Sequence, residues 1–258
     1  MTATHLRTLW RLILTCRNPW VYFLNKFGFA KKGVTYKLWN GTLVQCRGYK
    51  VDGSALNEVW LDKCYDPNEF GIPFDWSKAK NIIDVGGHIG TFTLFAAANA
   101  PHAQIVTLEP EPSNFIVLAT NVQLNNLLNR VSLHNVGLGN GEPITLFTFH
   151  GDRGGNSVYR NKEGGAPVTI QTISLKDIFE KHGIDTIDYA KIDCEGAEYE
   201  ALYTLPDEYL RRINCIGMEY HYFSKEPLHH PDKLQAFLES KGFRVIKHKK
   251  SMMFAMRD

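Results

Sequence analysis

The stretch "NIIDVGGHIGTFTLFAAA", residues 81–98, limits the fold more than any other part of the chain. A short apolar run meets a glycine pair and then small and aromatic residues at helical spacing. Such a run reads as a buried strand, and the glycines let the backbone turn tightly into a helix. The same grammar recurs downstream. Strands are expected at 81–85, 105–109, 131–135, 188–193 and 213–220, with helices at 90–100 and 112–127 between the first three. Pro112 and Ser113 stand where a helix N-terminus favours them. Strand, helix, strand, helix, strand implies a parallel sheet with crossovers.

The pattern breaks at 143–173, where "PITLFTFH" and "APVTIQTI" both read as strands. They flank the glycine-rich loop "GDRGGNSVYRNKEGG". The expectation is a β insertion whose loop lies near a ligand mouth. A helix at 174–183 ends at Gly183, a helix at 231–242 follows, and 243–248 with 251–258 close the sheet as a strand pair. Ahead of residue 80, two short helices split at Asn18-Pro19 and a hairpin turns at Asn40-Gly41. A short helix is expected at 54–65. The chain therefore divides into an N-terminal helical and β-hairpin extension, 1–78, packing on or covering an α/β domain, 79–258.

A length of 258 residues with 44% hydrophobic content supplies one sizeable core. The five cysteines are scattered without CxxC spacing, so neither a zinc knuckle nor a disulfide framework is expected. A reducing, cytoplasmic setting fits best. No secretory signal is visible. "LWRLILTCRNPWVYFLNKFGF" is too interrupted by Arg11, Arg17, Asn18, Pro19 and Lys26 to span a membrane.

The ligand follows from the turn. In doubly wound sheets, ligands bind beyond the carboxyl ends of the strands. Gly86, Gly87 and Gly90 stand at offsets 0, 1 and 4, not the 0, 2 and 5 of a dinucleotide fingerprint. Asp84 precedes them. A pyrophosphate wants bare N–H groups at a helix N-terminus, and a carboxylate there repels it. Asp84 suits a ligand with cationic and hydroxyl-rich parts. S-adenosylmethionine (SAM) has an ammonium, a sulfonium and a ribose. Glu109 ends the second strand, 25 residues after Asp84, where it can accept hydrogen bonds from both ribose hydroxyls. The plainer alternative makes Asp84 a helix cap and Glu109 a solvated loop acid.

With these residues the chain resembles the class I SAM-dependent methyltransferases. "IDYAKIDCEGAEYEAL", residues 187–202, resembles the K-I-D-x-E-G-x-E hallmark of the FkbM family. "INCIGMEYH", "VTLEPEPSNF" and "GGNSV" resemble further FkbM segments. The family's turn is commonly D-V-G-A-N-I-G; Gly87 and His88 stand here at its Ala and Asn positions. The resemblance implies a Rossmann-like sheet, mostly parallel with an antiparallel last strand. It implies a cofactor set of Asp84, Gly86, Gly87, His88, Gly90, Glu109, Asn135, Val136 and Asp193. The reaction implied is transfer of a methyl group to a hydroxyl of a sugar, a glycan or a related metabolite, or of a polyketide.

A hydroxyl acceptor must lose its proton, so a base is needed nearby. Asp193 and Glu195 follow the fourth strand. Glu219 and His221 sit two apart and share a face of an extended segment. His221 is the first choice of base because an ordinary histidine titrates near neutrality. Glu219 would orient its ring or bind the acceptor. The alternative packs His221 under a loop and pairs Glu219 with Lys191. For Lys191, inside a buried strand, an ion pair is favoured over substrate contact. Hard cations accept the Asp193, Glu195, Glu219 and His221 donor types, but the spacing matches no dedicated motif, so no metal is expected. Arg47, Asp52, Glu58 and Tyr65 form a polar set that folds over the site as a lid or is ordinary surface.

Residues 1–51 hold nine Lys or Arg and no Asp or Glu. With the aromatics of residues 1–28, this suits peripheral contact with an anionic, inner-membrane surface. The alternative is packing on the catalytic domain or a second subunit. No N-P-P-Y-like segment follows the fourth strand, so no nucleic-acid partner is expected. A non-catalytic SAM-binding protein is the remaining rival.

Overall fold

The structure is a computed structural model that describes residues 3–26, 29, 33–48, 50–148, 166–222, 226–248 and 251–257. The chain opens with helices α1 (Ala3–Thr15) and α2 (Val21–Lys26), then hairpin strands β1 (Val34–Lys37) and β2 (Leu43–Cys46). Helix α3 (Lys50–Leu56) continues into a π-helical turn, Asn57–Leu61. The expected helix thus begins four residues earlier, at Lys50, with its last turn widened.

Strand β3 (Asn81–Val85) and helix α4 (Thr91–Asn99) begin the α/β part, followed by β4 (Gln104–Leu108), α5 (Pro112–Leu124) and β5 (Val131–His134). Short strands β6 (Gly137–Leu138), β7 (Ile144–Thr148), β8 (Ala166–Ile170) and β9 (Thr172–Ile173) form the insertion. Strands β7 and β8, both expected as strands of the insertion, pair antiparallel. The loop 149–165 between them, including "GGNSV", lies outside the described residues. Then come α6 (Leu175–His182), β10 (Ile187–Ile192), α7 (Glu198–Tyr203), α8 (Asp207–Leu210), β11 (Ile213–Glu219), α9 (Pro231–Ser240), β12 (Arg244–His248) and β13 (Met252–Met256). Helix α6 carries a Ser174–Asp177 capping box and stops at Gly183 in the left-handed conformation.

Among the described residues the central sheet has the order β5-β4-β3-β10-β11-β13-β12. Its strands are parallel except β13, which runs antiparallel to both neighbours. This is the Rossmann-like methyltransferase sheet expected from the sequence, with its reversed last strand.

Strand alternation sorts the core. Ile83, Val85, Ala190 and Ile192 face one apolar cluster with α6, α7 and α9. Ile82 and Tyr189 face the other, with α4 and α5. Leu12, Cys16, Tyr36 and Val44 of the extension belong to that second cluster, so extension and sheet share a core. Asn121 of α5 and the C-cap residue Asn125 tie the hairpin down through the backbone of Gln45 and Leu43. No described helix is long and apolar enough to cross a membrane.

An aromatic cluster sets the segment between Tyr65 and Trp76 against the sheet. Trp76 packs on Phe92, Phe95 and Tyr189, and its Nε1 donates to Asp66 at 3.0 Å. The Tyr189 hydroxyl donates to the Tyr65 carbonyl at 2.7 Å. These contacts place Tyr65 over the carboxyl end of the sheet.

Candidate active site

The glycine turn and the hallmark run meet because strands β3 and β10 are neighbours. Gly86 has φ +76°, and a Cβ there would lie 1.8 Å from the Asp193 carbonyl oxygen. Only a bare backbone passes so close to the end of β10. The N–H groups of Gly86 and Gly87 both donate to the Leu108 carbonyl, at 3.0 and 2.9 Å. The His88 N–H donates to Glu109 Oε2 at 2.7 Å. Three successive amides are thus engaged by the tip of β4, and none is left to cradle a phosphate.

Glu109 stands just past β4, and its Oε1 accepts from the Glu111 N–H at 2.9 Å. Burial pushes its carboxyl up to about 7, against the lowering effect of the hydrogen bonds from Glu111, His88 and Asn114. Asn135 donates to the carbonyls of Glu109 and Pro110 and so fixes that tip, with half-buried Val136 beside it. His88 adopts φ +49°, a region that Asn and His tolerate better than most residues. Its ring lies 3.7 Å from buried Asp52, which Arg47 holds at 2.7 Å. Burial lowers the His88 ring to about 4, so it is neutral at neutral pH.

Asp84 departs from its expected place on the ligand face. Its carboxylate is wholly buried, accepting from Thr93 Oγ1 at 2.6 Å and facing Lys191 Nζ at 3.3 Å. Asp84 and Lys191 are register partners across β3 and β10. Lys191 also donates to the Val85 and Gly86 carbonyls, at 3.0 and 2.7 Å, and lies 3.7 Å from Asp193. Burial alone would lower its ammonium, but Asp84 and Asp193 raise it above its ordinary value. The favoured ion pair is therefore present, and it holds the turn from below. The suggested Glu219 partner for Lys191 gives way to Asp84 and Asp193.

Beyond the ends of β10 and β11, Asp193, Glu219 and His221 come together, with donor atoms within 4.8 Å of one another. The Tyr65 hydroxyl donates to Asp193 Oδ2 at 3.0 Å. Glu198 is wholly buried and takes the His221 backbone N–H at 2.7 Å, with Nδ1 of the same histidine at 3.3 Å. The other ring nitrogen lies 3.9 Å from Asp193 and 3.8 Å from Glu195. Burial would lower this imidazole, yet Glu198, Asp193 and Glu195 carry it up to about 9. Burial, reinforced by Asp193, Glu58 and Glu195, raises the Glu219 carboxyl to about 7, with His221 pulling it down.

Residues 84–245 match the profile of the methyltransferase FkbM domain. The chain belongs to the FkbM methyltransferase family. Methyltransferase sdnD of Sordaria araneosa is 28% identical to it, over 77% of this chain and 85% of that protein. Methyltransferase 1 of Beauveria bassiana (strain ARSEF 2860) is 30% identical, over 73% of this chain and 79% of that protein. The 31-O-demethyl-FK506 methyltransferase FkbM of Streptomyces tacrolimicus is 25% identical, over 82% and 89%. In this FkbM methyltransferase the matched segment begins at Asp84, so Tyr65 and the Arg47–Asp52 pair come from the lead-in before it.

Besides Asp84, the charge state of His221 departs from expectation at the FkbM site. His221 was the expected base, but surrounding carboxylates leave it protonated at neutral pH. Glu195, which follows the fourth strand, sits in a left-handed turn, φ +52°, ahead of α7, which begins at Glu198. Glu198 itself had no expected role. Its signal was the last Glu of the hallmark run.

Proposed function

We propose that this FkbM methyltransferase uses SAM to methylate a hydroxyl of a sugar, a glycan or a related hydroxylated metabolite. The observation that carries the reading is the convergence of Glu219 and His221 with Asp193 beyond the sheet, their donor atoms within 4.8 Å of one another, a carboxyl raised by burial beside an imidazole that Glu198, Asp193 and Glu195 hold charged. That is the protonation pattern for taking a proton from a neutral hydroxyl at slightly alkaline pH.

The donor pocket suits SAM. The Gly86, Gly87 and His88 amides are engaged and do not point at a ligand phosphate, while Glu109 Oε2 keeps a lone pair beyond the His88 bond for a ribose hydroxyl. Gly86, Gly87 and Gly90 let the turn press against Asp193, Thr107 and Leu118, and Asp193 and Glu195 supply negative charge toward a cationic donor. Asn135, Val136 and His88 flank this pocket. Asp84 acts one layer below, through Lys191. Bound there, SAM supplies a methyl group on a sulfonium that is already a good leaving group.

On the acceptor side, Glu219 takes the hydroxyl proton. His221, locked by Glu198, holds a positive N–H beside the oxygen that loses it. Tyr65 fixes Asp193, which keeps His221 charged. The carboxylates Asp193, Glu195, Glu219 and Glu58 disfavour a polyanionic acceptor such as nucleic acid. The name of the Streptomyces tacrolimicus relative, whose methyl goes to an oxygen, agrees with a hydroxyl acceptor.

The test is a panel of nucleotide sugars, glycans and small hydroxylated metabolites incubated with methyl-labelled SAM and read by mass spectrometry. Label on a hydroxyl oxygen is expected, at the same rate with EDTA present. Label only on nitrogen, or on no acceptor, contradicts the reading. A rate lost in EDTA and restored by magnesium would transfer the Asp193, Glu219 and His221 donor set to a cation.

A further inference from the structure

Helix α1 has two apolar faces. One packs inward through Leu12, with buried Cys16 just past the helix end. The other points to solvent: Trp10 is 63% and Leu14 61% exposed, one turn apart, with Ile13 between them also exposed. The hairpin extends this outer face. Trp39, 57% exposed, donates from Nε1 to the Ile13 carbonyl at 3.0 Å, and Arg17 lies over its ring. A water-soluble helix seldom leaves such a stripe uncovered.

The charges around the stripe say what covers it. Residues 1–51 carry nine Lys or Arg and not one Asp or Glu, whereas the remainder of the chain is net acidic. Arg17 and Lys37 are exposed beside Trp39. Arg11 and Arg47 do not count toward this face, because they pair with Asp62 and Asp52. Tryptophans and basic side chains on one apolar face match the headgroup region of an anionic bilayer, where indole rings partition and cations meet phosphate. We propose that α1 and the tip of the β1–β2 hairpin dock this enzyme on anionic phospholipid surfaces. The contact is peripheral, since α1 is one short helix lying along the protein.

This inference is independent of the reading of the catalytic residues. It is tested with the full chain and sedimenting vesicles of phosphatidylcholine alone or with about a third phosphatidylglycerol, a content that gives the surface an anionic potential. The protein is expected to sediment with the mixed vesicles, and to be released by salt as screening shortens the reach of the charges. The Trp10→Ala/Leu14→Ala variant removes only exposed side chains and is expected to bind about tenfold more weakly or worse, from lost apolar burial. Lys37→Glu should weaken binding to the mixed vesicles with the stripe intact. SAM binding by each variant reports that it has folded. Failure to sediment with either vesicle overturns the proposal, as does equal binding to both. A concentration-dependent dimer that the double variant abolishes, without any lipid binding, also overturns it by assigning the face to a second copy.

Discussion

Glu219→Gln is expected to lower kcat/KM by about a hundred- to ten-thousandfold, the range that a lost general base typically costs. The amide keeps the shape of the side chain but cannot take the acceptor proton. SAM binding should be nearly unchanged, because the proposed donor site is built on the turn and Glu109. The wild-type pH profile gives the same claim a second readout. Glu219 must be ionised, so activity rises through about 7. His221 must be charged, so activity falls through about 9. The two groups are coupled, and the limbs belong to the pair. In Glu219→Gln the acidic limb should vanish. Glu198→Gln removes the strongest support for the His221 charge and should move the alkaline limb to lower pH. A Glu219→Gln enzyme with wild-type kcat/KM would remove Glu219 as base.

Lys191→Met is expected to destabilise the protein by about 3–5 kcal/mol, measured by urea denaturation, because it strands a buried carboxylate. Asp84 has no exposure to solvent, and Lys191 Nζ also satisfies the Val85 and Gly86 carbonyls. Against a total stability of about 5–15 kcal/mol, that is a large fraction. The Lys191 pKa is raised in the fold, so this stabilisation is fully present at neutral pH and is lost only as pH rises through the folded value. Asp84→Asn/Lys191→Met removes both charges and should recover part of the loss. A single variant within about 1 kcal/mol of wild type would show that the pair is not what holds the turn.

The sheet was readable because each strand carries its own period. Buried runs such as "NIIDV" and "YAKI" declare parallel strands, and Gly86-Gly87 and Pro110 follow the ends of β3 and β4. The tips were readable too: Asp193, Glu219 and His221 do converge, since adjacent parallel strands end at one level. The charge states were not readable. An isolated His221 sequence gives an ordinary imidazole, and only the fold adds the buried Glu198 and two further carboxylates. Asp84 failed similarly. One residue of strand phase separates a side chain on the ligand face from one opposite Lys191, and the glycine motif does not record that phase. Tyr65 lies 128 residues from the Asp193 it binds, held by an aromatic cluster that no local pattern announces.

The central claim is that the glycine turn, Glu109 and the rim carboxylates hold a cationic, ribose-bearing methyl donor. Calorimetric titration tests it most directly, with SAM as ligand and NAD⁺ as the pyrophosphate-bearing control. Saturable SAM binding is expected, weakened about ten- to hundredfold in Glu109→Gln by loss of a charge-assisted hydrogen bond, with no heat from NAD⁺. Saturable binding of NAD⁺ with none of SAM would contradict it.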